Sequence, residues 1–181
     1  MDNYNLSVTE ANFSMTDVKR LLGDELFDEL QPMLVELNFD EMPASIGFHG
    51  PYQGALLDHS LLVGRELVRY TNALGLKWTR PESPAVIGIL HDICKAYKFR
   101  KTSTGFELRD DLRLDGHGSL SCALAQLWHV KLTNEEFMCI RYHMGAYEVN
   151  EWNLVNYAIA DYPNLVHVIA ADAYVAKFLK I

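Results

Sequence analysis

The sequence predicts a single all-α domain, interrupted by a small β-hairpin. Three observations favour this fold class. Apolar residues recur at helical spacing along most of the 181 residues. Hydrophobic residues make up 49% of the chain and charged residues 22%, as in globular domains. No repeat, low-complexity tract or linker divides the chain, so we expect one domain over 1–181, with 1–44 as a helical extension packed on a core of 45–180.

Caps and breakers predict the order of the elements. Gly23 separates two short N-terminal helices, the Pro- and Gly-rich stretch 38–54 indicates a loop, and Gly75 is the expected stop of a long helix. Thr133 and Glu136 predict a capping box. The expected elements are a helix capped by Thr16, a second with apolar residues from Leu26 to Leu34, an amphipathic helix over 55–73, an apolar helix opened by Pro81 to Pro84, a hairpin within 98–110, and helices over 119–130, 134–144 and 164–179.

Charge and composition exclude several classes of protein. The formal net charge of -8 argues against non-specific binding of duplex nucleic acid and favours small charged substrates, with a short strand left open. Any phosphate partner must then be held by a few positive groups or by metal ions. No apolar stretch is long enough to span a membrane and the polar first residues show no signal peptide, so a cytoplasmic location is expected. The sequence contains an odd number of cysteines that lie far apart, which predicts that they are reduced residues of the core. They are Cys94, Cys122 and Cys139. The sequence gives no indication of oligomeric state.

Histidines and carboxylates inside apolar segments are the main candidates for chemistry. His91 and Asp92 end the apolar run AVIGIL, where a carboxylate costs free energy unless it is paired or binds a metal. Taken alone, this pair has a plain alternative as a polar helix cap. Other polar groups in apolar or glycine-flanked positions make a shared metal the stronger interpretation. The full set is His59, His91, Asp92, His117, His143 and Asp172.

The order of these groups resembles the HD-domain superfamily of metal-dependent phosphohydrolases. The matching strings are GALLDHSLLVG, GILHDICKAYKF, GHGSLS, IRYHMG and HVIAADAYVAK, which span about residues 45–180. The presence of two intermediate histidines, His117 and His143, resembles the two-metal branch of this superfamily. The resemblance implies an HD-domain helical bundle and a hydrolase of EC 3.1 type. Such an enzyme would cleave a phosphomonoester or phosphodiester of a nucleotide or short oligonucleotide with a metal-bridging hydroxide.

The resemblance also implies the metal ligands. It implies that the site holds two divalent transition-metal ions. Because most of the ligands are imidazoles, Mn, Fe, Co, Ni and Zn are the metals that suit the site. No nucleophilic side chain is needed, and Cys94, which stands where many family members have glycine, is interpreted as core packing. One ion would be held by His59, His91, Asp92 and Asp172, and the second by His117 and His143 with Asp92 as the bridge.

Cationic and loop residues complete the expected site. Lys95 completes the HDxxK spacing, and we expect it to meet the substrate phosphate and to act with Asp92 in catalysis. Arg141 is a further candidate for anion contact. His49, in the loop before the first ligand helix, is expected to line the pocket mouth. For Lys101 the favoured interpretation is a solvated hairpin face.

Two other classes of function stay open. A few superfamily members hold two irons with the same six ligands and oxidise small alcohols or phosphonates, and the ligands alone do not separate these oxygenases from hydrolases. The third class is a non-catalytic domain that binds a ligand. The six filled ligand positions argue against it.

Overall fold

Helices form almost all of the regular structure in the computed structural model, which describes residues 12–46, 50–109, 116–145 and 152–181. Together with one two-stranded antiparallel hairpin, they confirm the predicted all-α class. In the hairpin, Phe99 pairs with Leu108 and Thr102 with Gly105. The elements are α1 (Met15–Leu22), α2 (Asp24–Glu36), α3 (Ala55–Leu74), α4 (Ser83–Leu90), α5 (Cys94–Lys98), β1 (Phe99–Thr102), β2 (Gly105–Leu108), α6 (His117–Leu127), α7 (Asn134–Arg141), α8 (Trp152–Asp161), α9 (Leu165–Ala173) and a C-terminal π-helical segment (Tyr174–Leu179).

The core forms around α3 and α4, which pack against each other. Helix α9 lies on α3, α7 lies on α4, and α6 packs on both α5 and α7. Every residue of α4 is buried, which confirms that the AVIGIL run is a central helix. The α3 face that meets α4 is rich in buried leucine, including Leu57 and Leu61. Among the described helices, none combines the length and the apolar composition needed to cross a bilayer.

Two glycines bring α3 and α4 close enough for their ligands to meet. A Cβ atom on Gly88 would overlap the Cα and the amide nitrogen of Gly64. Only main chain therefore fits between the two helices at this point. His59 precedes Gly64 on α3 and His91 follows Gly88 at the end of α4, so this contact sets the separation of the two imidazoles.

A similar close approach joins the start of α6 to the end of α7. A Cβ atom on Gly118 would overlap the carbonyl oxygens of Ile140 and Arg141. His117 directly precedes Gly118, and His143 closely follows Arg141. The glycine after His117 therefore serves helix packing, and it brings together the two chain segments that carry the intermediate histidines.

The N-terminal helices pack on the rest through α1, which contacts α3 and α4. The buried Asp58 carboxylate on α3 accepts hydrogen bonds from the main-chain amides of Asn12 at 3.0 Å and Phe13 at 3.1 Å. The Tyr52 hydroxyl donates to the same carboxylate at 2.8 Å. Asp58 thus ties the segment before α1 and the loop before α3 to the helix that carries His59. The division into an extension and a core stays a prediction.

Some caps are as predicted and one is not. The Thr133 capping box and the Gly75 stop, with φ of 68°, are confirmed. The predicted Thr16 cap is wrong, because α1 begins at Met15 with Ser14 as its N-cap. The Asp17 carboxylate, at the third helical position, accepts a hydrogen bond from the Ser14 amide at 3.0 Å and so completes a capping box that starts the helix after Ser14.

Helix limits in the second half also differ from the prediction. Helix α6 begins at His117, so this residue lies in the first helical turn and not before it. Helix α7 ends at Arg141, which places His143 in the following turn. The predicted helix over 164–179 splits into α9 and the π-helical segment. Helix α8 is absent from the predicted elements, although its apolar residues recur at helical spacing.

Candidate metal centre

Four polar side chains meet where α3, α4 and α9 converge. Their ligand atoms all lie within 4.8 Å of one another, and His59 and His91 are fully buried. Because these groups sit in apolar segments of three different helices, packing of the core forces them together. The structure therefore brings together the four residues that the resemblance implies as ligands of the first ion. Its members are His59 of α3, His91 and Asp92 after α4, and Asp172 of α9.

Distances inside this group range from 3.1 to 3.9 Å, close to those between ligands of one ion. His59 Nε2 lies 3.2 Å from His91 Nε2 and 3.1 Å from Asp172 Oδ1. His91 Nε2 lies 3.4 Å from Asp92 Oδ2. Nitrogen and oxygen ligands at about 2.0–2.2 Å from a tetrahedral ion are about 3.3–3.6 Å apart. The donor set therefore fits a divalent transition metal.

Main-chain carbonyl groups orient three of the imidazoles. When Nδ1–H donates to a carbonyl oxygen, the Nε2 lone pair stays available for a metal. In each of these rings Nε2 points toward the Asp92 carboxylate, at 3.4–3.6 Å. The Nδ1 contacts are His59 with Ile181 O at 3.0 Å, His91 with Gly88 O at 2.9 Å, and His143 with Ile140 O at 2.8 Å.

Asp92 presents its second oxygen to His143. Asp92 Oδ1 and His143 Nε2 are 3.6 Å apart, and neither has a hydrogen-bond partner among the described residues, although both are buried. A buried polar atom without a partner costs roughly 1–3 kcal/mol, and more when charged. A cation held between these two atoms would remove that cost. This geometry suits the bridging role that the resemblance implies for Asp92.

A further group contains His117 and a cysteine. Ligand atoms of Asp92, Cys94 and His117 lie within 4.8 Å of one another, and Cys94 Sγ is 3.7 Å from His117 Nδ1. Cys94 is fully buried, as predicted, and burial raises the pKa of its thiol to about 12. The sulfur nevertheless faces a ligand histidine, which the interpretation as core packing did not include. The only sequence signal is a cysteine where many family members have glycine.

Neighbouring charges decide the protonation of the cluster. Burial opposes the ionisation of Asp92, but Lys95 and His91 outweigh it and hold the pKa of this carboxyl well below its ordinary value. The surrounding imidazoles lower the pKa of Asp172 in the same way, again against the effect of burial. Burial lowers the pKa of His91 and of His117. Both carboxylates are therefore charged and both of these rings neutral, which are the forms that bind metals.

Lys95 lies at the edge of the cluster. Its Nζ atom is 2.6 Å from Asp92 Oδ2, and 13% of the side chain is exposed. Burial works against its charge, but the Asp92 carboxylate outweighs it and raises the pKa of Lys95. The HDxxK spacing thus places a permanent cation between a ligand carboxylate and solvent.

The remaining predicted site residues lie farther out or cannot be placed. The Arg141 guanidinium lies beside Gly116, with Nη1 3.9 Å from the position a Cβ would take there. Arg141 is therefore next to the chain that leads into His117. His49 lies outside the described residues. Lys101 is exposed on the hairpin, in agreement with the predicted solvated face.

A curated relative supports the chemistry of this site. Over 131 residues the chain is 28% identical to dihydroneopterin 2',3'-cyclic phosphate phosphodiesterase from Methanocaldococcus jannaschii. The match covers 70% of this chain and 51% of the relative, so the chain spans about half of the relative's length. No known family profile matches the sequence, and no solved structure matches it.

The helical fold, the cluster of histidines and aspartates and the phosphodiesterase relative agree with one another. They confirm the resemblance to the HD-domain superfamily of metal-dependent phosphohydrolases. The protein has a candidate metal-binding site built from several residues. The number of ions, their identity and the role of each ligand stay predictions.

Proposed function

We propose that the protein is a metal-dependent phosphodiesterase that acts on a small phosphorylated substrate of nucleotide type. The observation that carries this proposal is the group of two histidines and two aspartates, three of them buried and Asp172 partly exposed, whose ligand atoms have separations close to those of a metal shell. The similarity to a phosphodiesterase adds phosphodiester hydrolysis to the proposal. The net charge of -8 favours a small substrate over duplex nucleic acid.

Asp92 is central to the proposal because its two oxygens face different histidines. Oδ2 faces His59 and His91, while Oδ1 faces His143. When bound, two divalent ions lower the pKa of water and polarise a phosphoryl oxygen. The first ion would take His59, His91, Asp92 and Asp172, and the second Asp92, His117 and His143.

The proposed role of Lys95 is to bind the substrate phosphate and to balance the charge of Asp92. Its ammonium group neutralises Asp92 from the solvent side and provides a point charge where an anionic phosphate enters. Arg141, beside the segment that leads to His117, is proposed as a second anion contact. His49 is proposed as a residue of the pocket mouth on its position in the sequence alone.

The proposed substrate class is narrowed by the relative. The relative is named for a 2',3'-cyclic phosphate of dihydroneopterin, and the substrate proposed here is of nucleotide type, so 2',3'-cyclic phosphates of nucleosides are the first class to test. Short single-stranded oligonucleotides are the second class, and phosphomonoesters the third. Hydrolysis in each case breaks a P–O bond and adds water across it.

A substrate screen tests the proposal. The protein is loaded in turn with Mn²⁺, Co²⁺, Fe²⁺, Ni²⁺ and Zn²⁺, and product is measured with nucleoside 2',3'-cyclic phosphates, bis-(p-nitrophenyl) phosphate, p-nitrophenyl phosphate and a short oligonucleotide. We expect hydrolysis of the diesters that Asp92→Ala removes and Lys101→Met leaves unchanged. Iron-dependent oxygen uptake with a small alcohol or phosphonate and no hydrolysis would instead support an oxygenase. Metal binding with neither activity would support a non-catalytic binding domain.

A further inference from the structure

A sulfur donor lies inside the second group of ligands. Cys94 Sγ, one nitrogen of His117 and one oxygen of Asp92 lie within 4.8 Å of one another. The Cys94 amide donates a hydrogen bond to Ser121 Oγ at 3.2 Å, which holds the main chain at Cys94 against α6. Ser121 lies on α6, the helix that begins at His117. The contact therefore joins α5, which carries Cys94, to the helix that carries the histidine.

The distance between sulfur and nitrogen is that of two ligands on one ion. Cys94 Sγ and His117 Nδ1 are 3.7 Å apart. In a tetrahedral site with a metal–sulfur bond of about 2.3 Å and a metal–nitrogen bond of about 2.0–2.1 Å, these atoms are about 3.6 Å apart. Cys122 provides a contrast, because its thiol donates to the Phe137 carbonyl oxygen at 3.5 Å and it belongs to neither ligand group formed by the described residues.

A second observation points to a cation beside Asp92. The residues Asp92 and His143 are only 2% and 1% exposed. Neither Asp92 Oδ1 nor His143 Nε2 has a hydrogen-bond partner among the described residues. The Nδ1 atom of His143 is 2.8 Å from the Ile140 carbonyl oxygen. When Nδ1–H donates to this oxygen, the lone pair of Nε2 faces Asp92 and is available to a metal ion. Asp92 belongs both to this pair and to the group with Cys94.

We propose that Cys94 is a thiolate ligand of the second metal ion, together with Asp92, His117 and His143. The inference rests on the metal centre of the proposed function and adds a ligand to it. On binding, the thiol proton leaves to solvent and a sulfur lone pair goes to the ion. A thiolate favours Zn²⁺, Co²⁺ or Fe²⁺ over Mg²⁺ or Mn²⁺, so this residue sets the metal preference of the second site.

A different role for the sulfur predicts different data. Three imidazoles of the cluster have a carbonyl oxygen at Nδ1, whereas His117 has Cys94 Sγ there. If the sulfur only orients the His117 ring through a hydrogen bond, it stays outside the metal shell. Spectroscopy separates the two roles, because only a bonded thiolate gives charge-transfer absorption to the metal.

Cobalt titration followed by absorption spectroscopy is the test. We expect the wild-type protein to develop thiolate-to-cobalt absorption in the near ultraviolet, which saturates as the second equivalent of Co²⁺ binds. Cys94→Ser should lose this absorption and bind the second Co²⁺ at least about tenfold more weakly, with the first equivalent unchanged. The control Cys139→Ser removes a buried thiol of α7 that lies outside both ligand groups. It should keep the absorption.

The wild-type spectrum decides the question even if a variant does not fold. Binding of a second Co²⁺ without charge-transfer absorption would overturn the Cys94 inference and leave the proposed metal centre intact. Failure to bind a second Co²⁺ at all would overturn both the inference and the bridging role of Asp92. Thermal unfolding followed by circular dichroism shows whether each variant is folded, and Cys94→Ala provides a second variant without a donor atom.

Discussion

Replacement of Gly88 by alanine should separate the helices that carry His59 and His91. The new Cβ would overlap the main chain of Gly64, and it would lie 3.3 Å from the carbonyl oxygen of Ser60. Ordinary contacts between carbon atoms are about 3.5–4.0 Å, so the helices must move apart by about 1 Å or more. Overpacking of this kind costs about 1–3 kcal/mol, against a gain of about 1 kcal/mol in helix propensity. We expect a net loss of up to about 2 kcal/mol in the free energy of unfolding.

The same displacement should weaken the metal site. His59 Nε2 and His91 Nε2 are 3.2 Å apart, and a shift of about 1 Å is several times the tolerance of about 0.2 Å in metal–ligand distances. We expect Gly88→Ala to lower the affinity for the first ion by at least about tenfold, the lower end of the loss caused by disturbing ligand orientation. Calorimetric metal titration measures this affinity, and denaturant unfolding of the metal-free protein measures stability.

Gly64→Ala is the matched control, because it makes the same change on the other side of the same contact. Its Cβ would meet Leu21 Cδ2 at 2.7 Å, and its other neighbours, Gly88 Cα at 3.6 Å and Ala85 O at 3.7 Å, are at ordinary distances. The end of a leucine side chain can move at small cost. Gly64→Ala should therefore stay within about 1 kcal/mol of wild type and bind metal normally. Equal behaviour of the two variants would refute the role assigned to the Gly64–Gly88 contact.

Three more predictions have defined outcomes. His117→Ala should weaken one ion and leave the other, as elemental analysis and calorimetry report; two ions bound as in wild type would argue against its ligand role. Lys95→Met should retain metal but lower turnover at least about tenfold, or about 1.4 kcal/mol, whereas Lys101→Met should change steady-state kinetics little; equal small effects would place both lysines on a solvated face. Glu136→Ala should cost about 2–3 kcal/mol in denaturant unfolding, because the fully buried Glu136 binds Arg80 at 2.7 Å; a cost below about 1 kcal/mol would contradict this pairing.

Local sequence signals predict most of the helix order. The Gly75 stop and the Thr133 capping box depend on main-chain geometry within one turn, so they can be found without tertiary information. The start of α1 could not be settled in this way, because Ser14 and Thr16 are both good caps and only the reach of Asp17 decides between them. The π-helical segment after α9 likewise follows from packing of the chain end on α3.

The candidate site was predictable in its residue types but not in its contacts. Polar groups in apolar helices are visible in the sequence, which is why His59 and Asp172 could be named. The carbonyl oxygen of Ile181 orients His59, although Ile181 lies 122 residues further along the chain. No local sequence pattern predicts this contact. The contact of the Cys94 thiol with His117 depends on the packing of α5 against α6, which only the folded chain provides.

Metal content of the Asp92→Ala variant tests the central claim most directly. Asp92 faces both groups of histidines, so its removal should empty both sites. Elemental analysis of gently purified protein should show about one to two transition-metal ions per chain in wild type and almost none in Asp92→Ala. Asp161→Ala, which changes an exposed aspartate of α8, should retain the wild-type content, and circular dichroism should show that both variants are folded. A folded Asp92→Ala protein that keeps its full metal content would contradict the account of a metal centre bridged by this carboxylate.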